Sequence, residues 1–117
     1  MVCREVLVPK KYNKLVRDKI PEIITKKGAV PKTCRLGNKD YIKALIKKLN
    51  EELKEFYCAN DHCEIVSEAA DMMEVVLAMF KSRGVIPENV EAVRLEKLKR
   101  RGGFEKRIFL ESVYKPK

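Results

Sequence analysis

Two groups of carboxylates stand out in this 117-residue chain. The first is Glu51, Glu52 and Glu55; the second is Glu68, Asp71 and Glu74. Glu52 and Glu55 are three residues apart, as are Glu68 and Asp71, so on helices each pair shares one face. Between Ala59 and Phe80 there is no Lys or Arg, although the chain contains 26. From Met72 to Phe80 that stretch is apolar except for Glu74. A helix apolar nearly all round is expected to be buried, and a buried carboxylate needs a positive partner. The partner is either a base from elsewhere or a metal ion. Glu52, Glu55, Glu68 and Asp71, if they converge, form an all-oxygen donor set suited to Mg²⁺, with Mn²⁺ as a substitute. Without an ion they repel one another. The bland alternative pairs the acids with Lys47, Lys48 and Lys54. For Glu51 and Glu64 it is at least as good as a functional role. For the four converging acids the metal is favoured, because their third-helix members have no local cation. Glu74 is either an outer ligand or the partner of a base from another element.

Two basic segments could meet an anion. In Tyr12–Lys19, Arg17 offers a guanidinium fork and Lys14 a point charge for phosphate. Near the C-terminus, Lys97, Arg100 and Arg101 precede Gly102-Gly103-Phe104, where glycines allow backbone to approach a ligand. Lys14, Arg17, Lys97 and Arg101 are therefore the candidate substrate-phosphate contacts. Lys19, Lys99 and Lys106 read as solvated charge. Met72, Met73 and Met79 read as core, and His62 as a surface or capping residue with no catalytic role. The four cysteines, Cys3, Cys34, Cys58 and Cys63, read as free thiols. Cys58, His62 and Cys63 lie close together but lack the paired spacing of a structural zinc site. A disulfide across the turn there would suit only a hyperthermophilic host.

A net charge of +9 steers anions toward the chain. Nucleic acid, anionic membranes and nucleotide phosphates are all compatible with it. The bases are spread over several segments and aromatics are few, so specific nucleic-acid recognition is not expected. No apolar run approaches the roughly 20 residues that span a bilayer. The N-terminus shows no apolar core or cleavage site of a signal peptide, so a cytoplasmic location is expected.

These groups must be positioned by helices. The length suits a single domain over residues 1–117. A first helix is predicted from an N-cap at Asp18 to about Lys27, with Pro21 in its first turn and Gly28 as its stop. Residues 31–37 read as a loop or short strand. A second helix is predicted over 38–59, where Ile42, Leu45, Leu49, Leu53 and Phe56 step by threes and fours along one face. Asn60 and Asp61 make the turn into a third helix over 62–83, which should lie antiparallel to the second. The fourth, 88–101, has Val90, Val93, Leu95 and Leu98 as its stripe and ends at Gly102. Residues 107–114 alternate loosely, as a short terminal strand would. The expected fold is all-α, a bundle of about four helices. One chain cannot easily cover the third helix on all sides, so a homodimer or homotetramer is expected to complete the bundle.

The acidic motif resembles the signature of the MazG-like nucleoside triphosphate pyrophosphohydrolases, E-E-x-x-E followed by a spacer and E-x-x-D. Here it reads Glu51-Glu52-Leu53-Lys54-Glu55, then twelve residues, then Glu68-Ala69-Ala70-Asp71. The opening YNKLVRDKIPEII and the closing RRGGF are similar to the phosphoribosyl-ATP pyrophosphohydrolase-like subgroup, and the likeness runs from about Tyr12 to Leu110. The resemblance implies helical hairpins assembled across a dimer or tetramer. It also implies Mg²⁺-dependent cleavage between the α- and β-phosphates, releasing a monophosphate and pyrophosphate. By that likeness Glu52, Glu55, Glu68 and Asp71 hold the metal, with Glu51 and Glu74 in support. Glu51, Glu52 and Glu55 are the catalytic candidates, with Glu51 or Glu55 taking the proton of the attacking water. The substrate is a nucleoside triphosphate or phosphoribosyl-ATP, with removal of non-canonical or excess nucleotides slightly preferred as the role. The competing reading is a non-catalytic basic helical module that binds nucleic acid or nucleotide.

Overall fold

Four helices make up the ordered part of the chain: α1 (Ile20–Lys26), α2 (Asn38–Cys58), α3 (His62–Ser82) and α4 (Pro87–Arg101). The computed structural model describes residues 10–117; residues 1–9, which include Cys3 and most of the segment read for a leader, lie outside that description. The described residues contain no strand, so the fold is all-α. Residues 31–37 and 107–114, which suggested strands, are irregular. Loose alternation cannot form a ladder without a neighbouring strand to accept its hydrogen bonds.

Local chemistry accounts for the helix ends. α1 begins one residue later than Asp18 would dictate, because Lys19 occupies the N-cap and makes no side-chain cap. Pro21 sits in the first turn, where its missing N–H costs nothing. Gly28 follows with φ +91°, a left-handed conformation that glycine adopts without a Cβ clash. Asp61 caps α3 by accepting a 2.8 Å hydrogen bond from the Glu64 N–H. The Glu64 carboxylate in turn accepts from the Asn60 N–H at 3.1 Å. This reciprocal cap resembles a capping box and gives Glu64 a structural role. Pro87 opens α4, and Gly102 closes it at φ +81°.

α2 and α3 form the one extensively packed helix pair among the described residues, a hairpin across the turn at residues 59–61. Leu45 of α2 and Val75 of α3 are its only fully buried apolar residues, joined by one buried acid, Glu52. The expectation that α3 is buried is not met within one chain: Val66, Met73 and Leu77 are exposed, Met73 at 64%. The α4 residues Val93, Leu95 and Leu98 are exposed as well. The radius of gyration is 20.8 Å, against roughly 13 Å for a compact chain of this length. No helix among the described residues is long and apolar enough to cross a membrane.

Candidate metal centre

The α2–α3 hairpin brings the two acidic groups together. Glu52 and Glu68 each lie eight residues from Asn60, so in an antiparallel hairpin they stand at the same height. Helical side chains lean toward their own N-terminus. On α2 that tilts Glu55 away from the turn; on α3 it tilts Glu68 back toward it. The two therefore meet near the level of Glu52. Glu52, Glu55 and Glu68 each present an oxygen within 4.8 Å of the others.

The cluster is graded in burial. Glu52 is buried, Glu68 half-buried and Glu55 exposed. One oxygen each of Glu52 and Glu68 is inaccessible to solvent and has no hydrogen-bond partner. Unsatisfied buried carboxylate oxygens are costly and rare. Burial pushes the Glu68 carboxyl up from 4.5 to about 7. Glu55, close enough to share a proton with it, adds to the rise, and the charges of Asp71 and Glu52 add more. Glu52 is raised too, first by burial and then by the Glu55 charge, with Lys48 opposing. These shifts record the repulsion expected of converging carboxylates.

Two cations offset part of this charge. Lys48, one helical turn before Glu52, places Nζ 3.6 Å from Glu52 and 3.7 Å from Glu51. Arg17 reaches α3 from the N-terminal segment and donates a 2.6 Å hydrogen bond to Oδ1 of Asp71. Asp71 is thus close enough to act on Glu52 and Glu68 electrostatically, yet its carboxylate is engaged by a guanidinium. Three of the four expected acids converge, while Asp71 stands at the edge in an ion pair. Sequence reasoning assigned Arg17 to phosphate and found no cation for α3. The partner came from 54 residues upstream, beyond any local pattern.

The remaining candidates divide clearly. Glu51 is half-buried beside Lys48, as the bland reading allowed, and Glu74 is exposed. Lys14 is exposed, with Nζ 5.8 Å from the centre of the Tyr12 ring. Lys97 and Arg101 are exposed on α4, which does not pack extensively on α2 or α3. Among the described residues the carboxylate triad is the only group of three or more His, Cys, Asp or Glu ligand atoms so assembled. Cys58, His62 and Cys63 form no zinc site, and Cys34, Cys58 and Cys63 are exposed free thiols.

The donor chemistry fits a hard divalent cation: three carboxylates converge, and two of their oxygens are buried with nothing to bind. In comparisons with known proteins, the family model described as Phosphoribosyl-ATP pyrophosphohydrolase matches residues 10–101. No curated protein and no solved structure matches the chain.

Proposed function

Because this chain belongs to the phosphoribosyl-ATP pyrophosphohydrolase family, we propose that it hydrolyses the α–β phosphoanhydride of phosphoribosyl-ATP or a nucleoside triphosphate. The family is one of metal-dependent pyrophosphohydrolases. Its description moves phosphoribosyl-ATP ahead of the non-canonical nucleotides that sequence reasoning preferred. The observation that carries the proposal is the pair of buried, unpartnered oxygens on Glu52 and Glu68. Glu52, Glu55 and Glu68 would hold Mg²⁺, or Mn²⁺ in its place, with Asp71 joining when Arg17 releases it. When bound, such an ion neutralises polyphosphate charge and makes a water more acidic.

The chain's own groups supply the rest. Water adds to the α-phosphorus, the bond to the bridging β-oxygen breaks, and pyrophosphate leaves. Glu51 stands beside the cluster, half-buried and outside the triad, and takes the proton that the water loses. Exposed Glu55 is the other candidate for that role. The Arg17 guanidinium is more than half exposed and turns from Asp71 to a phosphate, where it forms a bidentate contact. Lys97 and Arg101, remote in one chain, reach the substrate from a second copy.

That copy belongs to the same reading. An open apolar groove of about 330 Å³ is lined by Phe56, Met72, Met73, Val76, Leu77 and Phe80. An exposed surface of this kind on a charged chain calls for a partner. We assign it to a homodimer or homotetramer and place the reaction in the cytoplasm.

The test is a nucleotide panel, including phosphoribosyl-ATP, with Mg²⁺ and with Mn²⁺, scoring pyrophosphate against orthophosphate. Pyrophosphate release that needs the divalent ion and is lost in Glu68→Gln is expected. Orthophosphate release, or nucleotide binding without turnover, refutes the assignment.

A further inference from the structure

Beside the carboxylates lies a notch with the opposite charge. It is formed where Asn13 and Lys14 of the N-terminal segment meet Lys47, Lys48 and Glu51 of α2. Its volume is about 30 Å³, the space one water occupies in the liquid. It therefore admits a single oxygen of a ligand and excludes a base or sugar. Three ammonium groups line it against one carboxylate.

The lysines are not satisfied by the protein. Lys48 is only 20% exposed, yet its nearest carboxylate oxygens stand at 3.6 and 3.7 Å, beyond hydrogen-bonding reach. Among the described residues neither Lys14 nor Lys47 has an acidic partner within ion-pair distance. A largely buried ammonium without a hydrogen-bond acceptor, flanked by two more cations, calls for an anion with several oxygens. Asn13 holds a left-handed conformation, φ +47°, at this same place. Such backbone is costly for residues other than glycine and is tolerated best by asparagine. It turns the N-terminal segment so that Lys14 joins the α2 lysines.

The notch shares a wall with the cluster: Glu51 lines it, and Lys48 lies between Glu51 and the triad member Glu52. A polyphosphate held by the carboxylate cluster through a cation would have its next phosphate within reach of these lysines. We propose that the Lys14–Lys47–Lys48 notch seats an oxygen of the departing pyrophosphate, the β- and γ-phosphates of the substrate. The inference rests on the hydrolytic reading above for its meaning, but the seat can be measured without turnover. Lysines here stabilise the charge that develops on the leaving group, and Lys48 couples the seat to the carboxylates.

The experiment titrates inorganic pyrophosphate into the whole protein by calorimetry, with EDTA present so that no divalent ion bridges to the acids. Lys14→Ala and Lys47→Ala remove exposed side chains and leave the hairpin intact; Lys48→Arg keeps the charge while changing its reach. Lys81→Ala, in the last turn of α3, controls for net charge alone. Each alanine in the notch is expected to weaken pyrophosphate about tenfold, with Lys81→Ala near the parent. No binding by the parent, or equal weakening by all three alanine variants, overturns the seat. A nucleotide turnover assay run alongside separates the two readings. Lysine-dependent pyrophosphate binding without turnover by the parent keeps the seat and removes the enzyme. Normal turnover, with KM and pyrophosphate affinity unchanged in Lys14→Ala and Lys47→Ala, keeps the enzyme and removes the seat.

Discussion

Loading the carboxylate cluster with Mg²⁺ must expel protons, and the structure sets how many. The perturbation is metal binding itself, compared between the parent and Glu68→Gln. The Glu68 carboxyl sits at about 7 because burial and its acidic neighbours disfavour the charged form. A cation reverses that preference and returns the group to full ionisation. A group titrating at about 7 holds about half a proton at pH 7, about 0.9 at pH 6 and about 0.1 at pH 8, and releases that fraction when the ion binds. Glu52 is shifted in the same direction and adds to the total. The assay is calorimetry of Mg²⁺ binding in two buffers of different ionisation enthalpy, since the slope of observed enthalpy against buffer enthalpy counts the protons. The slope should fall from pH 6 to pH 8. It should shrink without vanishing in Glu68→Gln, because Glu52 remains. Buffer-independent enthalpy at pH 7, or an unchanged slope in Glu68→Gln, would refute the reasoning from burial to protonation to metal.

Three more expectations come from the same geometry. The raised Glu68 lets the native metal-free protein keep a proton that the unfolded chain, with its ordinary value of 4.5, has already lost. Melting temperature without metal should therefore fall as pH rises through roughly 4.5 to 7, and Glu68→Gln should flatten the slope; scanning calorimetry that finds a rise across this window contradicts it. Mg²⁺ should raise the parent's melting temperature and do so much less in Glu68→Gln. Asp71→Asn should not stabilise the metal-free protein, as relief of repulsion alone would have it, because Arg17 loses its partner. The pair is 56% and 35% exposed, so urea melts of Asp71→Asn and Arg17→Ala should each show a loss of only about 0.5–1 kcal/mol; a several-fold larger loss would mean the pair is sequestered from water. Light scattering at micromolar concentration should give a dimeric or larger mass, and Met73→Glu should reduce it toward the monomer; a monomeric parent ends the assembly proposal.

Much of this was legible in the residues because it is local. The three-and-four stepping of Ile42, Leu45 and Leu49 defined α2, and Asn60 with Asp61 marked the turn that makes α2 and α3 a hairpin. The failures were local signals that lost to context. Asp18 is a better N-cap type than Lys19 but stands one place too early. Residues 107–114 alternate as a strand does, yet have no neighbouring strand to pair with.

The sequence by itself determined which carboxylates share a helix face, since i, i+3 spacing is a property of the helix. It also determined that α3 carries acids and apolar residues without a single base over most of its length. Only the tertiary structure decided which of those acids meet. The hairpin register and the opposite tilt of side chains on antiparallel helices closed Glu52, Glu55 and Glu68 to within 4.8 Å. A guanidinium from 54 residues away drew Asp71 to the edge. Burial, a property of packed neighbours rather than of residue type, left two oxygens without a partner and lifted Glu68 to about 7.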